Sequence, residues 1–248
     1  PVYPGMLAFA ERSWRGGGYA GWTATIGEPE TERATAFAEF ENRLLDQKQQ
    51  YFKGLDFPYV KQADLVWDIY GPYENKGNLS KVFAPESIKF NALKEKPKYK
   101  ATGGTLVMKH WWAPLISGVV EQPQENTTWY AQTQIWSDED KQREFWIGFN
   151  NLSRSMSTDS PNAGTWNNLK SQVWVNNELV SPPLWKHPNQ KGNLEIPLID
   201  EGYEFREPTL ISLKKGWNTV KVKLPVASFK GPNWTNPVKW MFTFVEVK

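Results

Sequence analysis

Apolar and polar residues alternate between Thr128 and Asn150 closely enough to predict two strands. Trp129, Ala131, Thr133 and Ile135 alternate with Tyr130, Gln132, Gln134 and Trp136, and beyond Ser137-Asp138-Glu139-Asp140 the residues Phe145, Ile147 and Phe149 share one face. The pattern predicts a β-hairpin with one apolar side, closed by a turn whose charges oppose edge pairing. A hairpin this rich in aromatics is not stable alone in water, so the rest of the chain must supply a second apolar layer.

The same period of two recurs downstream. Leu65, Trp67 and Ile69 alternate up to Gly71-Pro72, a pair expected to end their strand. Further strands are predicted over Thr105 to Trp112, over Ser171 to Val180 around an Asn176-Asn177 turn, and over Thr209 to Leu224 with a turn at Lys215-Gly216. Lys239 to Val247 closes the series with a strand apolar on both faces. Such spacing predicts a mainly β fold, a jelly-roll or galactose-binding-like β-sandwich.

Before Ala63 the period is 3.6. Leu7, Ala10, Glu11 and Trp14 place a helix over Pro4 to Trp14, stopped by Gly16-Gly17-Gly18. A longer helix runs from Glu28-Pro29 to Phe52, with Phe37, Phe40, Leu44 and Tyr51 as its apolar positions and Pro29 in its first turn. The chain thus divides into a helical segment, residues 1–60, and a sandwich, residues 61–248.

If successive strands run antiparallel, the short turns at Asp138-Glu139, Asn176-Asn177 and Lys215-Gly216 gather at one end, and the long connections gather at the other. Those connections carry Trp166, Trp185, His187 and Trp234, beside Trp111-Trp112 at the end of their strand. Structured loops on a rigid scaffold are common binding surfaces, and an exposed tryptophan flanked by polar groups can stack on a sugar ring. Trp185, in PPLWKHPNQ, is the leading candidate for that role, with Lys186, His187 and Asn189 beside it.

Composition narrows the function further. The 14 tryptophans are each expected to bury ~150–250 Å², so most are assigned to the core. A net charge of +2 with scattered Lys and Arg argues against nucleic acid, and no apolar run is long enough to cross a bilayer, so no membrane partner is expected. Cysteine is absent, and the two histidines, His110 and His187, lack a ligand-spaced partner, so no histidine metal site is expected. A calcium ion remains open, because Asn150-Asn151 and Asp159 to Asn162 form oxygen-rich loops without a spaced ligand motif. The acidic groups Asp138-Glu139-Asp140 and Asp200-Glu201 read as solvated turn and loop residues, and no catalytic constellation is found. Pro1-Val2-Tyr3-Pro4 is not an initiation context, so the chain reads as part of a longer polypeptide, with no signal-peptide pattern.

PGMLAFAERSW followed by the glycine-rich break resembles the last helix of the catalytic barrel in family 20 glycoside hydrolases, the β-N-acetylhexosaminidases. FAEFENRLLDQKQQYF with Phe57-Pro58-Tyr59-Val60 resembles the post-barrel segment of an exported bacterial branch of that family. WDIYGPYENKGN resembles the entry strand of accessory β-sandwiches in bacterial carbohydrate-active enzymes. The resemblance implies a barrel whose Asp-Glu pair, working with the substrate's own acetamido group, lies before the last helix. No catalytic residue therefore maps onto this chain, and Glu11 matches a structural helix position. It implies a non-catalytic C-terminal accessory domain that needs no cofactor, is exported with its bacterial parent, is inactive alone, and has the barrel of the same polypeptide as partner. The alternative is a stand-alone carbohydrate-binding module, or a protein-interaction sandwich, that uses the loop tryptophans. An exposed apolar strip around Leu7, Phe9, Ala10 and Trp14 would favour the first reading.

Overall fold

The computed structural model describes residues 5–17, 25–55, 57, 59–87, 93–110, 112–149, 161–190, 207–231, 238 and 240–247. Helix α1 (Gly5–Arg15) ends where Gly16 and Gly17 take φ of 68° and 72°, with the Gly16 N–H bonded to the Arg12 carbonyl at 3.1 Å. Helix α2 (Glu32–Gln50) starts later than Pro29 suggests. Thr31 caps it, its hydroxyl accepting the Ala34 N–H at 3.3 Å, and Pro29 lies in the turn before the cap. Ala34 and Leu44 are buried, whereas Tyr51, expected on the packed stripe, is exposed.

A buried carboxylate on α2 anchors the chain that leads into the sandwich. Glu41 Oε1 accepts the Tyr59 hydroxyl at 2.7 Å and the Gln62 N–H at 2.6 Å, and its Oε2 accepts the Ala63 N–H at 2.9 Å. Gln62 continues the relay, its side-chain oxygen accepting the Gly104 N–H at 2.8 Å. Burial, reinforced by the bond to Glu41, pushes the Tyr59 pKa far above the usual tyrosine value.

The fold is mainly β, two antiparallel sheets packed as a jelly-roll-like sandwich after the two helices. The larger sheet has the order β2 (Tyr99–Thr102), β1 (Val66–Glu74), β4 (Thr127–Ser137), β9 (Gly216–Val226), β6 (Gln172–Val175) and β7 (Glu178–Leu179). The smaller has the order β3 (Thr105–Lys109), β10 (Trp240–Val247), β5 (Lys141–Gly148) and β8 (Thr209–Leu213). A short helix, α3 (Ala84–Ser87), lies between β1 and β2 in the chain.

Three sequence expectations change. β4 and β5 are not a hairpin, because β4 pairs with β1 and β9 while β5 pairs with β8 and β10. Their apolar faces meet across the core instead of side by side, and the charged turn carries the chain from one sheet to the other. Lys215-Gly216 likewise joins strands of opposite sheets. Gly71-Pro72 does not end β1. The strand continues to Glu74 through a register shift between Tyr70 and Tyr73, which absorbs the proline's missing N–H. Glycine is required at 71 because φ is 133° and an added Cβ would sit 2.8 Å from Trp129 Cδ2. The Asn176-Asn177 turn does close a hairpin, β6 to β7, with φ of 50° and 67°.

The core lies between the sheets. Trp67 meets Phe242 edge-on at 4.9 Å, Phe145 packs on Phe244 at 4.8 Å, and β10 is buried from Trp240 to Val245. Among the described tryptophans only Trp67, Trp129, Trp166 and Trp240 are buried, fewer than expected. Trp14, Trp112, Trp136 and Trp217 are exposed.

Candidate functional site

The short turns do share one end. The Asn176 side chain donates to Asn218 Oδ1 at 2.7 Å, the Lys215 N–H donates to Asp140 at 2.6 Å, and Ser137 pairs with Gly216. The acidic turn is bound up there in ion pairs, Asp138 with Lys141 at 3.0 Å and with Arg143 at 3.3 Å, and Glu139 with Lys141 at 3.2 Å. Asp200 and Glu201 lie outside the described residues.

The long-loop end places the sequence-derived residues unevenly. Trp166 is 4% exposed and edge-on to Phe149 at 6.1 Å, so it packs in the core and is no exposed stacking platform. Trp185 is half-buried, its ring N–H donating to the Thr165 carbonyl at 2.8 Å, which ties the 181–190 loop to the 161–170 loop. His187 is exposed in the same loop. Trp112 is 51% exposed, and its backbone N–H donates to Nδ1 of the buried His110 at 3.0 Å. That bond places the imidazole proton on Nε2, and burial, with the Lys109 charge second, lowers the His110 pKa. Trp111 and Trp234 lie outside the described residues. Of the proposed calcium loops only Pro161-Asn162 is described, and no cluster of three or more His, Cys, Asp or Glu side chains occurs among the described residues.

The densest polar chemistry lies elsewhere, on the outer face of the larger sheet. Alternation puts Tyr130 and Gln132 of β4, and Lys221 and Lys223 of β9, on that face, where Tyr130 pairs with Lys223 and Gln132 with Lys221. All four are buried because residues 80–87 lie over them. Glu86 Oε1 receives the Lys223 ammonium at 2.8 Å and accepts the Tyr130 hydroxyl. Lys223 also donates to the Lys81 carbonyl at 2.8 Å, and Lys221 to the Pro85 carbonyl. Burial first, then the bond to Glu86, raises the Tyr130 pKa far above the usual value, and burial lowers that of Lys221. Beside this cluster opens a cleft of about 300 Å³ between Ser80, Val82 and Glu86 on one side and residues 164–172 and 179–182 on the other. Sequence reasoning missed it, since residues 75–98 show no periodicity. The one signal was the placement of two lysines on the outward positions of an otherwise apolar strand.

No protein-family model matches the chain, and no curated protein matches it. Among solved structures it is similar to a β-glucosidase from Kluyveromyces marxianus, selenomethionine-labelled, at 15% identity over 74% of this chain and 17% of that one, with a TM-score of 0.32. The glucose complex of the β-glucosidase from the same organism matches at 14% identity over 74% and 15%, with a TM-score of 0.26. This chain therefore spans less than a fifth of the length of either, and superpositions this loose carry nothing about its function.

Proposed function

We propose that this chain is the non-catalytic C-terminal accessory region of an exported bacterial β-N-acetylhexosaminidase of glycoside hydrolase family 20. Its role is to support the catalytic barrel of the same polypeptide in removing terminal N-acetylhexosamine residues. The supporting observation is an exposed apolar stripe on α1. Met6, Phe9 and Trp14 are 57%, 74% and 93% exposed, and with exposed Ala10 they follow one another at helical 3-and-4 spacing. The opposite side of the helix faces α2, where Glu11 pairs with Arg43 at 2.5 Å. The charged side of α1 thus meets α2 while its apolar side is left bare, the arrangement of a helix that docks on a further body. Burying Phe9 and Trp14 against a barrel would contribute about 1.5–3 kcal/mol of transfer free energy for the phenylalanine and more for the larger indole. The resemblance of PGMLAFAERSW to the last barrel helix names that partner.

The test compares Phe9→Ser and Trp14→Ser in this chain with the same changes in the longer polypeptide that carries a barrel ahead of residue 1. This chain should melt unchanged within about a degree, because the side chains are already in water. In the longer polypeptide both the melting temperature and the release of N-acetylglucosamine from an aryl glycoside should fall. A longer polypeptide indifferent to both substitutions, or one lacking a hexosaminidase barrel, would sink the reading.

A further inference from the structure

We propose that the cleft beside Glu86 binds one residue of a neutral glycan. This inference stands on the outer face of the larger sheet and is independent of what covers α1. Glu86 is held there by three donors converging on Oε1: the Tyr130 hydroxyl, the Lys223 ammonium and the Phe83 N–H at 3.3 Å. Its Oε2 has no partner among the described residues, and Glu86 forms part of the cleft wall. The cleft therefore presents a carboxylate oxygen whose position is fixed before any ligand arrives, at little further cost in side-chain entropy.

Charge decides the ligand class. Lys223 is 1% exposed and neutralises Glu86 from beneath, so the cleft has a strong hydrogen-bond acceptor without an unbalanced negative charge to attract a cation. Lys170, Gln172 and Ser80 add donors and acceptors around it, and Val180 and Pro182 add apolar surface. Its volume, about 300 Å³, lies at the small end for ligand pockets and matches one sugar ring. A neutral ring with several hydroxyls and an apolar face uses all of these features. Phosphate would have to rely on Lys170 of the described wall, since the Lys223 charge is already balanced by Glu86.

The test is calorimetric titration of the 248-residue chain with galactose, N-acetylglucosamine, N-acetylgalactosamine and chitotetraose, with inorganic phosphate as the charged control. The expected result is saturable heat with at least one sugar and none with phosphate. Gln172→Ala should weaken that binding about tenfold, the loss of one or two ligand hydrogen bonds, without lowering the melting temperature. Ser80→Ala probes the opposite wall and keeps the test open if the first variant folds poorly. No saturable heat with any sugar, or heat with phosphate alone, would overturn the proposal. So would sugar binding that both variants leave unchanged, whether Trp185→Ala or Trp217→Ala then removes it.

Discussion

Truncating Glu86 to alanine should destabilise the fold more than its position in a short surface helix suggests. The substitution leaves the Lys223 ammonium, 1% exposed, with the Lys81 carbonyl as its remaining partner, and it strands the donor proton of the fully buried Tyr130 hydroxyl. Removing one member of a buried ion pair costs about 3–5 kcal/mol, and an unsatisfied buried hydroxyl about 1–3 kcal/mol. The two losses share one carboxylate and are not additive, so roughly 4–6 kcal/mol is expected, against a typical total stability of about 5–15 kcal/mol. Glu86→Gln keeps an acceptor for both donors and should cost less. The double variant Glu86→Gln/Lys223→Met removes the buried charges together and should recover most of what Glu86→Ala loses. Urea unfolding followed by tryptophan fluorescence, with the single variants closing a double-mutant cycle, measures the coupling. A loss below about 1 kcal/mol for Glu86→Ala would refute the assignment of this pair as the clamp on residues 80–87. A double variant that loses the sum of its singles would refute the coupling itself.

Other expectations rest on different parts of the fold. Gly71→Ala places a Cβ 2.8 Å from the indole of buried Trp129 at a φ of 133°, and overpacking with backbone strain should cost about 2–4 kcal/mol by the same unfolding assay. The folded state lowers the His110 pKa below the usual value near 6.5, so the unfolded chain binds the proton more readily. His110's contribution is therefore complete above about pH 6.5 and is lost as pH falls below it, and His110→Asn, which keeps an acceptor for the Trp112 N–H, should flatten the melting temperature between pH 7 and pH 5, roughly. Tyr59, Tyr73 and Tyr130, hydrogen-bonded to Glu41, Glu95 and Glu86, all have raised pKa values. Their contribution is intact below about pH 10 and is lost above it, so ultraviolet titration should show phenolate from Tyr59 and Tyr130 appearing only with unfolding.

The two-residue period was legible because one face of each long strand is buried. Trp129, Ala131 and Ile135 of β4, and Phe145 and Ile147 of β5, face the core as their alternation requires. Which strands pair was not legible, since a charged four-residue turn serves a hairpin and a sheet-to-sheet connection equally well. β2 escaped notice because Tyr99–Thr102 is four residues long and carries no apolar alternation. The α2 anchor escaped for a different reason. Glu41 sits on the helix's apolar side, where sequence pattern reads a charged residue as an interruption, yet its three hydrogen bonds fix residues 59–63 to the helix.

The tryptophans show why large apolar area alone does not locate a residue. On β4 the outward positions are Tyr130, Gln132, Gln134 and Trp136, and the two polar residues are no guide to which of the four is covered. Tyr130 and Gln132 are buried because the clamp from Glu86, Lys81 and Pro85 draws residues 80–87 over their half of the sheet. Trp136 lies beyond that cover and remains 54% exposed, edge-on at 5.4 Å to Trp217, its partner on β9. Such a cross-strand pair contributes about 0.5–1.5 kcal/mol beyond area burial, enough to hold the rings together and too little to fold them inward. Burial on this face is thus set by a polar clamp, and the buried lysines of β9 are the residues that reveal where the cover lies.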